Sequence, residues 1–313
     1  MNRNLTPIIS VLMPVYNREE YIRESVESIL NQSFRNFEFL IGDDGSTDST
    51  PQIIRKYAED DKRITLHIFE HRGQFHQLNK LVASARGKYI AMMESDDISL
   101  PERFERQLKF IQETDCDVCG GQVETFGARF SDLCYPETHE GICLEQLFRV
   151  AILQPATMMK SVVAKENPYL EDIFLVDYEW PIRISPRYRL SNSPALILKR
   201  RVHEKQTSTV NLTKCLKESA NIRFKYFYSM FPNTPIEDFI AFTRIADKQP
   251  MTSIPELKRA GKWLVELSRC SEEKMKKIMQ IRWKNACDFS VELGKETISI
   301  FNHYQALLEG RKC

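Results

Sequence analysis

The feature that most constrains the fold is a regular alternation of short apolar runs and amphipathic stretches in the first third of the chain. The first apolar run, Ile8–Val15, is short and rich in β-branched residues, whereas apolar residues in the next stretch, Glu19–Asn31, recur at helical spacing. The predicted elements are strand Ile8–Val15, helix Glu19–Asn31, strand Phe37–Ile41, helix Asp48–Ala58, strand Ile64–Phe69, helix Phe75–Ala85, strand Lys88–Met93 and helix Pro101–Glu113. This order predicts an α/β fold with a mostly parallel sheet flanked by helices.

Polar residues directly follow each predicted strand. In open parallel sheets, ligands bind beyond the carboxyl ends of the strands, near the point where the strand order reverses. The residues to consider are therefore Tyr16-Asn17, Asp43 to Ser46, His71 to Gly73, and Glu94 to Asp97. These residues predict a single ligand-binding site at the edge of the sheet where the strands end, called the binding edge below.

Two of these segments are strongly acidic. Glu94, Asp96 and Asp97 place three carboxylates within four residues, and Asp43 and Asp44 stand at the mouth of another strand. Neighbouring carboxylates repel one another unless a cation or solvent relieves them. Mg²⁺ and Mn²⁺ prefer oxygen ligands, and Mg²⁺ commonly takes one or two carboxylates together with substrate phosphates. The pattern predicts a site for a metal and a diphosphate. The alternative is that each segment is a turn that caps the next helix.

The joint order of several short motifs resembles glycosyltransferase family 2 over roughly residues 7–205. The motifs are Ser10-Val-Leu-Met-Pro-Val-Tyr-Asn17, Asp43-Asp-Gly-Ser-Thr-Asp48, Ala85-Arg-Gly-Lys-Tyr-Ile90, Glu94-Ser-Asp-Asp97 and Leu100-Pro101. The resemblance implies a GT-A fold, which is a Rossmann-like nucleotide-sugar-binding fold, and a metal-dependent, inverting transfer of a sugar. It also implies a nucleoside-diphosphate sugar as donor, for which we expect a UDP-sugar.

The resemblance implies a role for each nucleotide-side residue. Pro14 and Tyr16 would line the base pocket. Asp44 would accept a hydrogen bond from the nucleobase, and Asp43 would support it. Glu94 stands at the ribose contact, where the family usually has Asp. The predicted nucleotide-sugar-binding set is completed by Ser95 and by His71, where the family often has Asn.

For the metal, Mn²⁺ or Mg²⁺, the resemblance implies Asp96 as the principal ligand. Asp97 would be a further ligand or a carboxylate on the acceptor side. The segment Arg201–Ser208 resembles the closing His motif of the family, so His203 would join the metal or the diphosphate, and Lys205 would neutralise phosphate. The alternative for His203 is a structural histidine.

The resemblance also implies a general base. Asp177 lies in Val176-Asp-Tyr-Glu-Trp-Pro-Ile-Arg183, the counterpart of an Asp before an aromatic, Trp-containing helix start. It would take the proton of the acceptor hydroxyl during direct displacement. The alternative is that Asp177 caps a helix beginning near Tyr178. The family commonly has Glu at position 176 and Arg or Lys at position 78, where this chain has Val and Leu.

Composition limits the partners. The net charge of +1 over 313 residues gives no general attraction to nucleic acid, so nucleic acid is not expected as a partner.

Eight scattered cysteines indicate reduced thiols in a cytoplasmic protein. Cys116 and Cys119 suggest a zinc site, but an odd separation along a predicted strand puts the two thiols on opposite faces. The chain has no apolar run near the roughly 20 residues that span a bilayer.

The last hundred residues change character, and the predicted division is a catalytic domain at 1–210 and a helical region at 211–313. The run Ile222–Phe231 mixes basic and aromatic residues. It predicts a buried helix or, alternatively, a peripheral contact with the inner membrane surface. The expected acceptor is a glycan or a lipid-linked acceptor, in polysaccharide biosynthesis. A non-catalytic sugar-nucleotide-binding module stays the alternative function, since four positions depart from the family pattern. A nucleotidyltransferase would need a glycine-rich basic loop that residues 11–17 lack.

Overall fold

The computed structural model describes residues 6–204, 206, 211–269 and 273–310. The chain divides into two compact units, one formed by residues 1–139 and 152–215, the other by residues 140–151 and 216–313. The segment 140–151 therefore groups with the C-terminal residues, although it precedes residue 210. The functional division predicted at that residue stays a prediction.

The first unit is built on one sheet. Its strands are β1 Ile9–Val15, β2 Phe37–Asp43, β3 Ile64–Ile68, β4 Tyr89–Met92, β5 Ile98–Ser99, β6 Val118–Gly127, β7 Ser131–Leu133, β8 Met158–Lys160 and β9 Leu190–Val202. Their order is β3-β2-β1-β4-β8-β6-β9-β5, with β7 paired to β6. The pairs among β1 to β4 are parallel, as predicted, whereas β8, β7 and β5 join antiparallel. The α/β class is confirmed, and the sheet as a whole is mixed.

Helices cover this sheet. They are α1 Ile22–Leu30, α2 Thr50–Asp60, α3 Gln74–Ser84, α4 Arg103–Thr114, α6 Ser161–Glu166 and α7 Val176–Ile184. The chain also forms α5 His139–Glu145, whose residues after His139 belong to the second unit. Every element predicted in the first 113 residues is present, with bounds within three residues of the prediction. The apolar spacing explains this agreement, since α1 buries Ile22, Val26 and Ile29 at helical intervals.

A buried carboxylate fixes the entry into β4. Glu38 accepts hydrogen bonds from Ser10 Oγ at 2.6 Å, Arg86 N at 2.8 Å and Arg86 Nε at 2.8 Å. Ser10 Oγ in turn accepts from Gly87 N at 2.8 Å. A Cβ at position 87 would lie 2.6 Å from the backbone nitrogen of Ser10. Only glycine fits there, because the backbones of β1 and of the turn before β4 touch.

The long strand β9 brings a later segment to the same sheet. It pairs in parallel with β6, and the register shifts where Gly121 opposes Ser193 and Gln122 opposes Leu196. Pro194 lies in this bulge, where the ladder does not require its missing N–H. Beyond the bulge, β9 continues to Val202. It thereby carries the chain to His203.

The second unit is helical in its described part. Its helices are α8 Leu212–Met230, which begins in the first unit, α9 Ile236–Ala246, α10 Ile254–Arg269, α11 Glu273–Phe289 and α12 Glu296–Leu308. Glu145, whose side chain is 1% exposed, pairs with Arg149 and Arg282 and ties the segment 140–151 to α11. None of the described helices is both long and apolar enough to cross a membrane.

The basic and aromatic run in α8 is divided between interior and surface. Ile222, Tyr226 and Phe227 are buried, and Phe227 packs against Phe242 with ring centroids 5.0 Å apart. Phe224, in contrast, is 42% exposed. The buried-helix alternative therefore describes one face of α8, and the other face is left at the surface.

The expectation that Cys116 and Cys119 point to opposite faces of a strand is wrong. The strand β6 begins only at Val118, so the alternation of side chains does not extend back to Cys116. Both thiols are buried, and a hydrogen bond to Cys119 lowers the pKa of the Cys116 thiol. Within the described ranges, no three His, Cys, Asp or Glu side chains are grouped as a metal site of their own.

Candidate active site

The predicted binding edge lies at the carboxyl ends of β1, β2 and β4. Strand order reverses at β1, which lies between β2 and β4, so this edge is the switch point of the parallel part. Tyr16 follows β1, Asp43 ends β2, and the acidic segment Glu94 to Asp97 follows β4. Pro14 is buried in β1 opposite Gly42. The sheet thus gathers the predicted residues at one edge.

Asp44 organises the part of this edge that follows β2. Its buried carboxylate accepts hydrogen bonds from the backbone N–H groups of Arg72, at 3.1 Å, and Gly73, at 3.0 Å. His71 Nδ1 lies 2.9 Å from Asp44 Oδ2. The His71 ring stacks on Tyr16, with centroids 4.4 Å apart and planes at 25°. Asp44 therefore holds the turn 71–73, and this turn presents an aromatic surface next to it.

Asp43 differs from Asp44 in having an unsatisfied oxygen. Its Oδ1 accepts from Ser46 N at 2.8 Å, whereas the buried Oδ2 has no hydrogen-bond partner among the described residues. An unpaired buried acceptor is unfavourable and uncommon. The two neighbouring carboxylates therefore have different tasks, since one anchors a turn and the other retains a free acceptor.

Side chains of α4 and α1 hydrogen-bond to the backbone around the acidic segment after β4. Arg103, fully buried, donates to the carbonyl oxygens of Met92, at 2.8 Å, and Thr157, at 3.1 Å, and so joins the end of β4 to the start of β8. Burial lowers the pKa of Arg103 to about 10. Ser25 of α1 donates to the carbonyl oxygen of Asp97 at 2.7 Å. Ser95 is buried in the same segment. The backbone that presents the carboxylates is thus fixed.

Asp96 and His203 meet directly. Asp96 Oδ2 lies 3.0 Å from His203 Nε2 and 3.5 Å from Arg18 Nε. The side chains of Asp96 and His203 are 13% and 11% exposed, so the pair is accessible but sheltered. His203 Nδ1 is buried and has no hydrogen-bond partner in the described part of the chain. The two residues that the resemblance assigned to the metal are therefore neighbours.

Asp97 and Glu94 are carboxylates whose charge is disfavoured. Burial and the charge of Asp96 raise the pKa of Asp97 to about 8, although Oδ1 accepts from Arg201 N at 2.9 Å. Burial also raises the pKa of Glu94 well above its ordinary value, with further contributions from Asp96, Asp177 and Asp97. Gln74 donates to Glu94 at 2.9 Å. This concentration of negative charge favours a bound cation.

Asp177 belongs to the same acidic region, because its charge contributes to the raised pKa of Glu94. It is the second residue of α7, and the N-cap is Leu175, which makes no side-chain cap. The alternative that Asp177 caps a helix starting near Tyr178 is therefore wrong, since the helix already begins at Val176. Burial raises the pKa of Asp177, and the charge of Arg200 partly offsets this rise.

A divalent ion fits the pair Asp96 and His203. Two neighbouring ligands at about 2.1 Å from an octahedral ion are roughly 3 Å apart, and Asp96 Oδ2 and His203 Nε2 are separated by 3.0 Å. Carboxylate oxygen and imidazole nitrogen both suit Mn²⁺. Because no three such side chains are grouped within the described ranges, the remaining ligands would come from water and from a substrate diphosphate.

Several residues of this site were not predicted from the sequence. Arg18 lies beside Asp96, Gln74 bonds Glu94, and Arg201 holds both Asp97 and, through its Nε, the carbonyl oxygen of Asp96 at 2.9 Å. Arg18 and Gln74 directly follow motif residues, and this adjacency was an available signal. Arg200, which directly precedes the segment Arg201–Ser208, was not predicted either. Lys205, predicted to neutralise phosphate, lies outside the described residues.

The fold and the site together define an α/β transferase of the GT-A class. Residues 10–145 match the family described as Glycosyl transferase family 2. The O-antigen biosynthesis glycosyltransferase WbnJ of Escherichia coli is 30% identical over 66% of this chain and 84% of its own length. The chain belongs to glycosyltransferase family 2 and is a glycosyltransferase.

Two solved structures share the fold. S. aureus TarS in complex with UDP-GlcNAc has a TM-score of 0.56 and 18% identity, covering 97% of this chain and 92% of that one. The mannosyltransferase PcManGT of Pyrobaculum calidifontis, in complex with GDP-Man and Mn²⁺, has a TM-score of 0.58 and 16% identity, covering 98% of this chain and 86% of that one. At these identities the likeness establishes the GT-A fold.

Proposed function

We propose that this chain transfers one sugar from a UDP-sugar to a glycan acceptor with inversion, in a reaction that depends on a divalent metal and on Asp177 as general base. The observation that carries the proposal is the common acidic region. Burial, together with the charges of Asp96 and Asp177, raises the pKa of Glu94, and this supports a place for the proposed metal ligand and the proposed base in one acidic region.

The reaction needs one proton acceptor and one departing diphosphate. The oxygen of an acceptor hydroxyl forms a bond to the anomeric carbon as the bond from that carbon to the diphosphate oxygen breaks. Asp177 takes the hydroxyl proton, and UDP leaves. The raised pKa that burial gives Asp177 makes it a stronger base than an exposed carboxylate. A single displacement inverts the configuration at the anomeric carbon.

A bound Mn²⁺ or Mg²⁺ would stabilise the charge that develops on the departing diphosphate. Asp96 and His203 would hold this ion. Arg18, 3.5 Å from Asp96, supplies a fixed positive charge on the same side. A neighbour with this fold was solved with Mn²⁺, which supports the assignment of the ion.

Uracil is the base that the carboxylates favour. Uracil carries an N–H at the position where cytosine has only an acceptor, and the buried Oδ2 of Asp43 is an acceptor without a hydrogen-bond partner among the described residues. The stacked rings of Tyr16 and His71 supply an aromatic surface for the base. The solved complex of TarS with UDP-GlcNAc supports the same choice.

We further propose a glycan or lipid-linked glycan of polysaccharide biosynthesis as acceptor, used by a cytoplasmic enzyme at the inner membrane surface. The O-antigen name of one relative supports the acceptor class. Leu216 and Phe224 of α8 are 62% and 42% exposed and lie near the exposed cations Lys217 and Lys225. Sedimentation with vesicles containing anionic lipid tests this contact, which Leu216→Ser with Phe224→Ser should weaken. Equal sedimentation of wild type and variant would contradict it.

The main experiment compares wild type with Asp96→Asn, with Mn²⁺ or with chelator. Calorimetry should show Mn²⁺-dependent UDP binding in wild type and not in the variant, because the amide is a poor ligand. Asp60→Asn, an exposed change on α2, should behave as wild type. Release of UDP from a UDP-sugar by wild type would separate an enzyme from a binding module. Equal UDP affinity under all conditions would refute the metal assignment.

A further inference from the structure

The helix α3 is bound to the nucleotide side of the site at its N-terminal end. Gln74, its first residue, donates to Glu94 at 2.9 Å. The two residues before it, Arg72 and Gly73, donate their backbone N–H groups to Asp44. Any displacement of α3 would therefore disturb the carboxylates that face the donor.

Further along α3, Asn79 makes a second contact, with Tyr169. Asn79 Nδ2 donates to the carbonyl oxygen of Tyr169 at 2.9 Å, and Asn79 Oδ1 accepts from the N–H of the same residue at 2.9 Å. One amide side chain thus satisfies both backbone groups of Tyr169, as a neighbouring strand would. His76, also on α3, pairs with Glu171 at 3.1 Å. The loop containing Tyr169 has two anchors on α3.

The same loop is bound on its other side to α7, the helix that carries Asp177. Trp180 Nε1 donates to the carbonyl oxygen of Asn167 at 2.7 Å, and Arg183 donates to that of Pro168 at 2.9 Å. The rings of Tyr169 and Trp180 lie 5.4 Å apart. Continuous hydrogen bonding therefore joins Glu94 and Asp44 through α3 and the loop to α7.

We propose that Asn79 is a positioning residue, which sets the place of Asp177 relative to the donor by clamping the Tyr169 peptide to α3. This inference rests on the proposed role of Asp177 as base. A base acts only within hydrogen-bond reach of the proton that it takes. A misplacement of about 1 Å can lower a rate about 100-fold. Because the clamp has two hydrogen bonds to one peptide, it fixes both the distance and the orientation of the loop.

The first measurement is the steady-state kinetics of UDP-sugar hydrolysis or transfer by Asn79→Ala. The kcat should fall about 10- to 100-fold, while KM for the donor and the affinity for UDP stay within about twofold. Asn79→Asp keeps the oxygen that accepts from Tyr169 N and loses the donor, so its kcat should be intermediate. The matched control is Lys80→Ala, an exposed change at the next position of α3, which should leave both constants unchanged.

The deciding measurement is the double variant Asn79→Ala with Asp177→Asn. If Asn79 acts through Asp177, its loss should lower kcat little further once the base is gone. A purely structural role would lower kcat by the same factor in both backgrounds, and that result would overturn the inference. Wild-type kcat for Asn79→Ala and Asn79→Asp, with a slow Asp177→Asn, would also overturn it. A wild-type rate for Asp177→Asn would instead refute the proposed function itself.

Discussion

Replacing Asp177 by Asn should abolish most of the activity without weakening the fold. The substitution removes the proton acceptor and keeps the shape of the side chain. Loss of a general base typically slows a reaction about 10²–10⁴-fold. This range corresponds to a rise of about 2.7–5.4 kcal/mol in the activation free energy, at about 1.36 kcal/mol per factor of ten. The affinity for UDP with Mn²⁺ should change little, because the assigned metal ligands are Asp96 and His203.

The structure also predicts the effect on stability. Asp177 caps no helix, since the N-cap of α7 is Leu175, so no cap is lost. Burial raises the pKa of the Asp177 carboxyl above its unfolded value. The folded protein therefore holds this proton more tightly, and the stability that it contributes is present at low pH and lost as pH rises through the folded pKa. At pH 8 the neutral Asn should leave the free energy of unfolding equal or higher.

The same shift predicts the pH dependence of the wild-type rate. A base works only when it is ionised, so kcat should fall as the pH is lowered, with an apparent pKa above 3.8, the ordinary value for Asp. The residual activity of Asp177→Asn should not show this fall. The matched control is Glu179→Gln, two residues on in α7. Glu179 is already paired with Arg183 at 2.6 Å, so this variant should retain most activity.

The assays are UDP release from a UDP-sugar, calorimetry with UDP, and urea unfolding at pH 5 and pH 8 in chelator. A wild-type rate for Asp177→Asn together with an inactive Glu179→Gln would place the base at Glu179 and refute the assignment. An Asp177→Asn protein that is inactive and also much less stable at both pH values would show that the carboxylate is structural.

Two further predictions concern binding and folding. Tyr16→Ala should weaken UDP binding by about 1–3 kcal/mol, the usual contribution of a base stacked on an aromatic ring; an unchanged dissociation constant in calorimetry would place the base elsewhere. Gly87→Ala should lower the free energy of unfolding by about 1–3 kcal/mol, because its Cβ would lie 2.6 Å from the Ser10 nitrogen. Urea titration against the exposed control Ser84→Ala measures this, and equal stability would show that the turn adjusts.

The first four strands and helices were predictable because each carries its own local signal. Apolar residues at helical spacing define α1, short runs rich in β-branched residues define β1 and β3, and a short apolar run defines β2. Once the parallel order is known, the place of the binding edge follows from topology alone. This explains why the residues after β1, β2 and β4 are predictable from the sequence as site residues.

The approach of His203 to Asp96 could not be derived in the same way. It depends on β9 pairing in parallel with β6, two strands separated by more than 60 residues, across a bulge at Pro194. Local patterns do not specify such partners, because register is set by packing and by the bulge itself. The resemblance to the family, rather than spacing, brought His203 into the prediction. The prediction that Cys116 and Cys119 lie on opposite faces was wrong for a related reason. The predicted strand included Cys116, whereas β6 begins two residues later, at Val118.

The four departures from the family pattern leave the acidic side chains of the site in place, which argues against a degenerate binding module. At position 71 a histidine replaces the usual Asn and still bonds Asp44, at 2.9 Å. At position 94 Glu replaces Asp and keeps the carboxylate, bonded to Gln74. At positions 78 and 176 the usual cation and the usual acid are both replaced by fully buried apolar side chains, Leu78 and Val176. One positive and one negative charge are thus lost together. The carboxylates of Glu94, Asp96 and Asp177 and the imidazole of His203 are all retained beside these changes.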